Sequence, residues 1–214
     1  MRSSRNEGKG TAARDWIRLG RAAFSVVLCL LALGLWDALA PAAQSPRNLQ
    51  LPGALAVVGE APLWASVFYL GDSLFVLLAL LLFAGLARVS HGPAWLTLSG
   101  LLAALGKALA DWTENLTLAW PAWSLLLGEA ASPLSEDWLR IIADIKRATA
   151  FLAALAFAPY HPAEQRSGQL VRLLLFVTAL GTALGFVIPA LTHANALFLF
   201  FAALALCWNA RRHA

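Results

Sequence analysis

The chain has 214 residues, of which 60% are hydrophobic and only 13% are charged. Soluble domains carry roughly 25% charged residues, and a soluble protein of this size could not bury so much apolar surface. The hydrophobicity excludes intrinsic disorder, and two cysteines exclude a disulfide-rich secreted scaffold. The composition predicts an integral membrane protein whose main partner is the lipid bilayer. We expect no nucleic-acid partner despite the net charge of +4.

Six largely apolar segments follow one another along the chain, at residues 22–40, 64–87, 93–120, 138–159, 170–188 and 195–209. A membrane-spanning helix needs about 20 such residues, and the segments lack the alternation that marks a transmembrane β-strand. The sequence therefore predicts an all-α bundle of six transmembrane helices over residues 21–210. Residues 1–20 and 211–214 are predicted to be basic cytoplasmic tails.

The basic residues between these segments predict the orientation of the bundle. One set of loops and tails holds eleven of them, and the opposite set holds Arg47 and Arg140. The eleven are Arg2, Arg5, Lys9, Arg14, Arg18, Arg21, Arg88, Arg166, Arg172, Arg211 and Arg212. Because cytoplasmic loops are enriched in Lys and Arg, we expect both termini in the cytoplasm and a location in a bacterial inner membrane.

The first segment also fits a second interpretation. A basic region, an apolar stretch and the residues Ala40, Pro41 and Ala42 resemble a secretory signal peptide with its cleavage site. The apolar stretch is longer than is usual for a signal peptide, which favours a permanent first helix. Cleavage of residues 1–42 remains the alternative.

Seven ionisable residues fall inside the predicted spans, and each costs roughly 2.5–3.5 kcal/mol near the centre of a lipid-facing helix. They are Asp72, Lys107, Asp111, Glu114, Asp144, Lys146 and Arg147. With the predicted topology all seven lie between the bilayer midplane and its outer surface. We therefore expect the spans at 64–87, 93–120 and 138–159 to pair these charges in one buried network.

The third span shows how such a network forms. Lys107, Asp111, Glu114 and Asn115 lie on one helical stripe, which the small residue Gly100 extends towards the cytoplasmic end. Small residues let a second helix approach closely. On the fourth span Arg140, Asp144 and Arg147 share a face, whereas Lys146 points away from Asp144 and is expected either to line a second contact or to extend towards the interface.

These residues also carry a resemblance. Asp72, then Lys107, then the D-x-x-E-N motif at 111–115, then Lys146 resembles a pattern in uncharacterised bacterial multi-pass membrane proteins with no assigned activity. It covers residues 64–155, under half of the chain. The resemblance implies that Asp72, Asp111, Glu114, Asn115 and Lys146 belong to one site.

Three functions fit this pattern. The first is a small transporter or binding protein, in which the charged residues bind a small polar or amphiphilic ligand or relay a proton or ion. The second is an intramembrane enzyme that acts on a lipid or isoprenoid group, with Asp111 or Glu114 as general base. The third is a structural or assembly subunit whose charges complement a partner helix. We favour the first.

The remaining motifs indicate no cofactor and no metal site. The histidines are not spaced for haem or zinc, and no phosphate-binding or dinucleotide-binding loop is present in the sequence. Gly181 and Gly185 form a G-x-x-x-G motif on the fifth span. We expect it to serve packing within the chain, and a homo-oligomer contact is the alternative.

Overall fold

The computed structural model describes residues 3–39, 61–129, 136–188 and 190–213, with only the backbone described at 3–11, 37, 136 and 190–196. This part of the chain is helical and contains no strand. Six long helices follow the predicted segments in order. They are α1 (Ser3–Leu39), α2 (Pro62–Val89), α3 (Ala94–Leu126), α4 (Glu136–Phe157), α5 (Arg166–Leu184) and α6 (Ala190–His213). A single 3₁₀ turn, Ala158–Tyr160, follows α4.

Three of these helices are long and apolar enough to cross a membrane, within the residues described: Ala12–Trp36 of α1, Pro62–Val89 and Arg166–Leu184. The all-helical prediction is thus confirmed for the described residues, and the apolar helices are those of a membrane protein. α3 and α4 contain the charged residues of the third and fourth predicted spans, and these residues lower the average hydrophobicity of the two helices.

The helices pack as a ring in chain order, because each one contacts the next and α6 returns to contact α1. The main apolar core draws on all six helices. It lies towards the end of the bundle where α1 begins and α6 ends, which we call the terminal end. Leu19, Leu86, Val171 and Leu206 are almost completely buried there.

α1 is part of this core and not an appendage. An added Cβ on Gly20 would lie 2.9 Å from the Cβ of Ala210 on α6, and one on Gly85 of α2 would lie 3.0 Å from Leu19. Trp16 and Leu19 fall within the predicted basic tail, yet both are buried. Removal of α1 would expose the core, which disfavours signal-peptide cleavage, although residues 40–42 lie outside the described residues.

A buried polar joint connects the terminal ends of α5 and α6 with the segment after α4. The hydroxyl of Ser167 donates to Oδ1 of Asn209 (2.7 Å), and Nδ2 of Asn209 lies 3.1 Å from Nε2 of His161. Because the amide oxygen already accepts from Ser167, the amide nitrogen donates to Nε2 of His161. The proton of the neutral imidazole is therefore on Nδ1. The edge of His161 also packs on Trp16 of α1.

α3 and α4 approach closely where the sequence predicts it. Gly100 is buried, and an added Cβ would lie 2.8 Å from both the Cβ of Ala156 and the ring of Phe157. This contact is one of those that set the height of α4 relative to α3, and so which α4 residues face the charged stripe of α3. On α5, Gly181 and Gly185 are both buried within the chain, as packing within the chain requires.

Candidate functional site: a charged cluster on α2, α3 and α4

The predicted stripe of α3 faces the neighbouring helices. Asp111 and Asn115 are buried, with 5% of each residue exposed, and Lys107 and Glu114 are half-buried beside them. Residues three and four apart lie on the same side of a helix, so the four side chains form a continuous polar surface. Lys107 pairs with Asp111 one turn further along the same helix.

α4 contributes one lysine to this surface. Nζ of Lys146 lies 3.2 Å from Oδ1 of Asp111 and also pairs with the carboxylate of Glu114. Lys146 thus makes the second contact that the sequence predicts as one of two outcomes, and it does not extend towards the interface. Its ammonium group joins two carboxylates of α3, so that α3 and α4 are connected by charge at this height of the bundle.

α2 joins the site through hydrogen bonds to neutral groups. Nδ2 of Asn115 donates to Oδ2 of Asp72 (3.0 Å) and to Oγ of Ser73 (3.2 Å). The indole nitrogen of Trp112 donates to the carbonyl oxygen of Ser73 at 3.2 Å. Among the described residues no cation lies within ion-pair distance of Asp72. We call Asp72, Lys107, Asp111, Glu114 and Lys146 the charged cluster.

One edge of the charged cluster reaches the surface of the bundle. The exposed fractions of the Lys107, Glu114 and Lys146 side chains are 20%, 22% and 28%, although these side chains lie between packed helices. Asp111, at 6%, is the most enclosed carboxylate of the cluster's ion pairs. A small void of about 10 Å³ lies between α2 and α3 next to Lys107, which is space for about one water molecule. The cluster is therefore accessible at its edge and closed at its centre.

The other predicted site residues on α4 form a separate pair. Arg147 pairs with Asp144 on its own helix, and its guanidinium lies 5.1 Å from the centre of the Phe186 ring. The side chain of Asp144 is half exposed. The expected single network of seven charges is therefore divided, because Lys146 and Arg147 are adjacent in the sequence and point about 100° apart on a helix.

Two side chains of the site were not predicted from the sequence, and a third lies near it. Ser73 accepts hydrogen bonds through both its hydroxyl and its carbonyl oxygen, and Trp112 bridges α2 and α3. Tyr69 is buried one turn before Asp72 on α2. Three features of the sequence could have indicated these residues. Ser73 directly follows Asp72, Trp112 lies within the D-x-x-E-N motif, and Tyr69 precedes Asp72 by three residues.

The cluster contains one more carboxylate than it has cations. Lys107 and Lys146 compensate Asp111 and Glu114. With all five groups in their charged forms, the cluster therefore has a formal charge of −1, which is that of Asp72. This arrangement can bind a proton or a cation at Asp72. No group of three or more His, Cys, Asp or Glu residues that could hold a metal ion occurs in the part of the chain that the structure describes.

No protein-family model, curated protein or solved structure matches this chain.

Proposed function

We propose that all six helices span a bacterial inner membrane, with both termini in the cytoplasm. The shortest helix, α5, has 19 residues and a length of about 28 Å, close to the roughly 30 Å hydrocarbon thickness. On α3 the exposed residues Trp95 and Trp120 are separated by about 38 Å along the helix axis. This spacing suits two membrane interfaces. Ion pairing in the charged cluster supports insertion of α3 and α4, because it offsets the cost of their charges.

Within this topology we propose that the protein is a small carrier or binding protein. Its site is the charged cluster, which lies in the outer half of the bilayer. Asp72 takes up and releases a proton or small cation, and this step is coupled to the binding of a small polar or amphiphilic ligand. The observation that carries the proposal is the position of Asp72, whose carboxylate receives a hydrogen bond from the neutral amide of Asn115 and makes no ion pair within the described residues.

A purely structural role accounts less well for this residue. A network that only joins helices needs each charge to have a countercharge, since an isolated buried carboxylate is costly. Lys107, Asp111, Glu114 and Lys146 meet this condition. Asp72 is partly buried and has no countercharge among the described residues, although an asparagine at this position could hydrogen-bond to Asn115 without any charge. A carboxylate at position 72 is useful if it changes its protonation or its bound cation.

The test is proton movement through the full-length protein in liposomes. A potassium diffusion potential, negative inside, drives protons inwards, and a trapped pH-sensitive dye records the acidification. We expect protein-dependent acidification that falls at least tenfold in Asp72→Asn, because the amide cannot carry the proton.

Asp15→Asn is the matched control. Asp15 lies at the terminal end and pairs with Arg18 and Arg88, away from the charged cluster. It should leave proton movement unchanged. Equal rates for wild type and Asp72→Asn, or a wild-type rate no higher than that of empty liposomes, would refute proton uptake and release at Asp72.

A further inference from the structure

The chemistry around Asp72 narrows the class of ligand. Asp111 and Glu114 already receive lysine ammonium groups, whereas Asp72 receives the amide of Asn115. An anionic ligand would have to displace a protein carboxylate from a lysine. The displaced carboxylate and Asp72 would then both lack a countercharge. A monovalent cation at Asp72 brings the net charge of the cluster to zero and requires no ion pair to break. Charge balance thus favours a cationic ligand.

The neighbouring side chains favour an organic cation over a metal ion. Metal ions such as Mg²⁺ and Ca²⁺ require several oxygen ligands at short distances, and the described residues contain no suitable group of acidic, histidine and cysteine side chains. Aromatic residues lie close to Asp72 instead. Trp112 is held against α2 by its hydrogen bond to Ser73, and Tyr69 lies one helical turn away. Aromatic rings and a carboxylate together are suited to ammonium groups that carry apolar substituents.

The surface beside Trp112 fits an amphiphilic molecule. The edge of the cluster at Lys146 and Glu114 is partly exposed, and two exposed leucines, Leu109 and Leu116, lie about one helical turn before and after Trp112 on the same face of α3. An apolar body can therefore contact the leucine-rich surface while its charge reaches the polar side chains. The expected ligand combines one positive charge with an apolar group.

We infer that the charged cluster binds a monovalent organic cation with an apolar body, and that its charge pairs with Asp72. The inference rests on the proposed function, since it specifies the ligand of the same site. It also assigns a specificity role to Trp112, whose ring contacts the apolar body or the cation.

The experiment is a binding titration of the full-length protein in lipid nanodiscs with benzyltrimethylammonium. Phenylmethanesulfonate, which shares the benzyl group and carries the opposite charge, is the control ligand. Empty nanodiscs correct for partitioning into lipid. We expect saturable binding of the cation and none of the anion. Asp72→Asn should weaken cation binding at least tenfold, whereas Asp15→Asn should leave it unchanged.

Trp112→Leu provides a second test if Asp72→Asn does not fold. Loss of the ring should weaken cation binding about threefold or more, the range expected for a cation–π contact. Trp120→Leu, at an exposed position, is the control and should not change cation binding. Binding of the anion alone would overturn the inference. Equal cation affinity in wild type, Asp72→Asn and Trp112→Leu would also overturn it.

The outcome is separable from that of the proton assay. Proton movement that depends on Asp72, without cation binding, removes the inference and leaves the proposed function standing. Cation binding that depends on Asp72, without proton movement, supports the ligand class and contradicts proton uptake at Asp72.

Discussion

Asn115 on α3 donates a hydrogen bond from Nδ2 to Oδ2 of Asp72 on α2, at 3.0 Å. The same amide nitrogen lies 3.2 Å from the hydroxyl of Ser73. This amide is the side-chain connection between the α2 carboxylate and the buried stripe of α3 in the described residues. Because only 5% of Asn115 is exposed, bulk water does not replace the hydrogen bond of its amide if the amide is removed.

Asn115→Leu should therefore destabilise the protein by about 1–3 kcal/mol, the cost of leaving a buried polar group without its partner. The measurement is the thermal unfolding midpoint in detergent. Ser73→Ala is the matched control, because it removes a neighbouring hydroxyl and keeps the donor to Asp72, and its effect should be smaller. Equal midpoints for wild type and Asn115→Leu would show that the amide does not support Asp72.

Lys146 compensates two carboxylates, so its loss should be more costly than a surface mutation. Lys146→Met leaves Glu114 without a cation and Asp111 with Lys107 alone. We expect destabilisation by about 3–5 kcal/mol, as for breaking a buried ion pair. The double variant Lys146→Met/Glu114→Gln removes both charges and should recover part of that loss.

The control for this prediction is Arg147→Met, at the neighbouring position but outside the charged cluster. It separates the half-exposed Asp144 from its partner, so the destabilisation should be below that of Lys146→Met. A double variant no more stable than Lys146→Met would contradict the pairing of Lys146 with Glu114.

The sequence allowed the helices and the α3 stripe to be predicted, because both follow from local periodicity. Lys107, Asp111, Glu114 and Asn115 share a face on any helix, whatever its neighbours. Their partners depend on the rotation and height of α2 and α4, which long-range packing determines. Lys146 illustrates the limit, since helical spacing shows that it points away from Asp144, but only the packing of α4 against α3 determines that it pairs with Asp111 and Glu114.

Close packing at Gly100 is one of the contacts that set this rotation. Gly100→Ala should destabilise the protein, because the new Cβ would lie 2.8 Å from Ala156 and Phe157. Overpacking of this kind typically costs about 1–3 kcal/mol. The measurement is again the unfolding midpoint in detergent, together with proton movement in liposomes. Since the shift would also displace Lys146, we expect both to fall.

Gly34→Ala on α1 is the matched control for Gly100→Ala. Apart from its chain neighbours and the backbone of its own helix, no atom of the described residues lies within 4 Å of its ideal Cβ, so alanine should be neutral or stabilise the helix by up to about 1 kcal/mol. If Gly100→Ala were as stable as Gly34→Ala, the contact between α3 and α4 would not be tight.

The buried joint at the terminal end predicts a pH dependence of stability. Burial, together with smaller electrostatic effects of Arg172, His213 and His91, lowers the pKa of His161 from 6.5 to about 4. The unfolded chain therefore binds a proton at this residue at higher pH than the folded protein does. Stability from this group is complete above pH 6.5, falls as the pH decreases, and levels off below about 4. The full loss is about 3 kcal/mol.

The check is the unfolding midpoint between pH 7.5 and 4.5, compared with His161→Phe. Protonation of carboxylates also destabilises proteins in this range, so the prediction concerns the difference in slope between the two proteins. His161→Phe should be less stable at pH 7.5, because Asn209 loses its acceptor, and less sensitive to acid. His91→Gln, at an exposed position, removes only the smallest of the electrostatic effects on His161, so its slope should stay much closer to that of wild type than to that of His161→Phe. Parallel curves for wild type and His161→Phe would show that His161 does not stay neutral in the folded protein, because a buried neutral histidine must contribute this acid sensitivity.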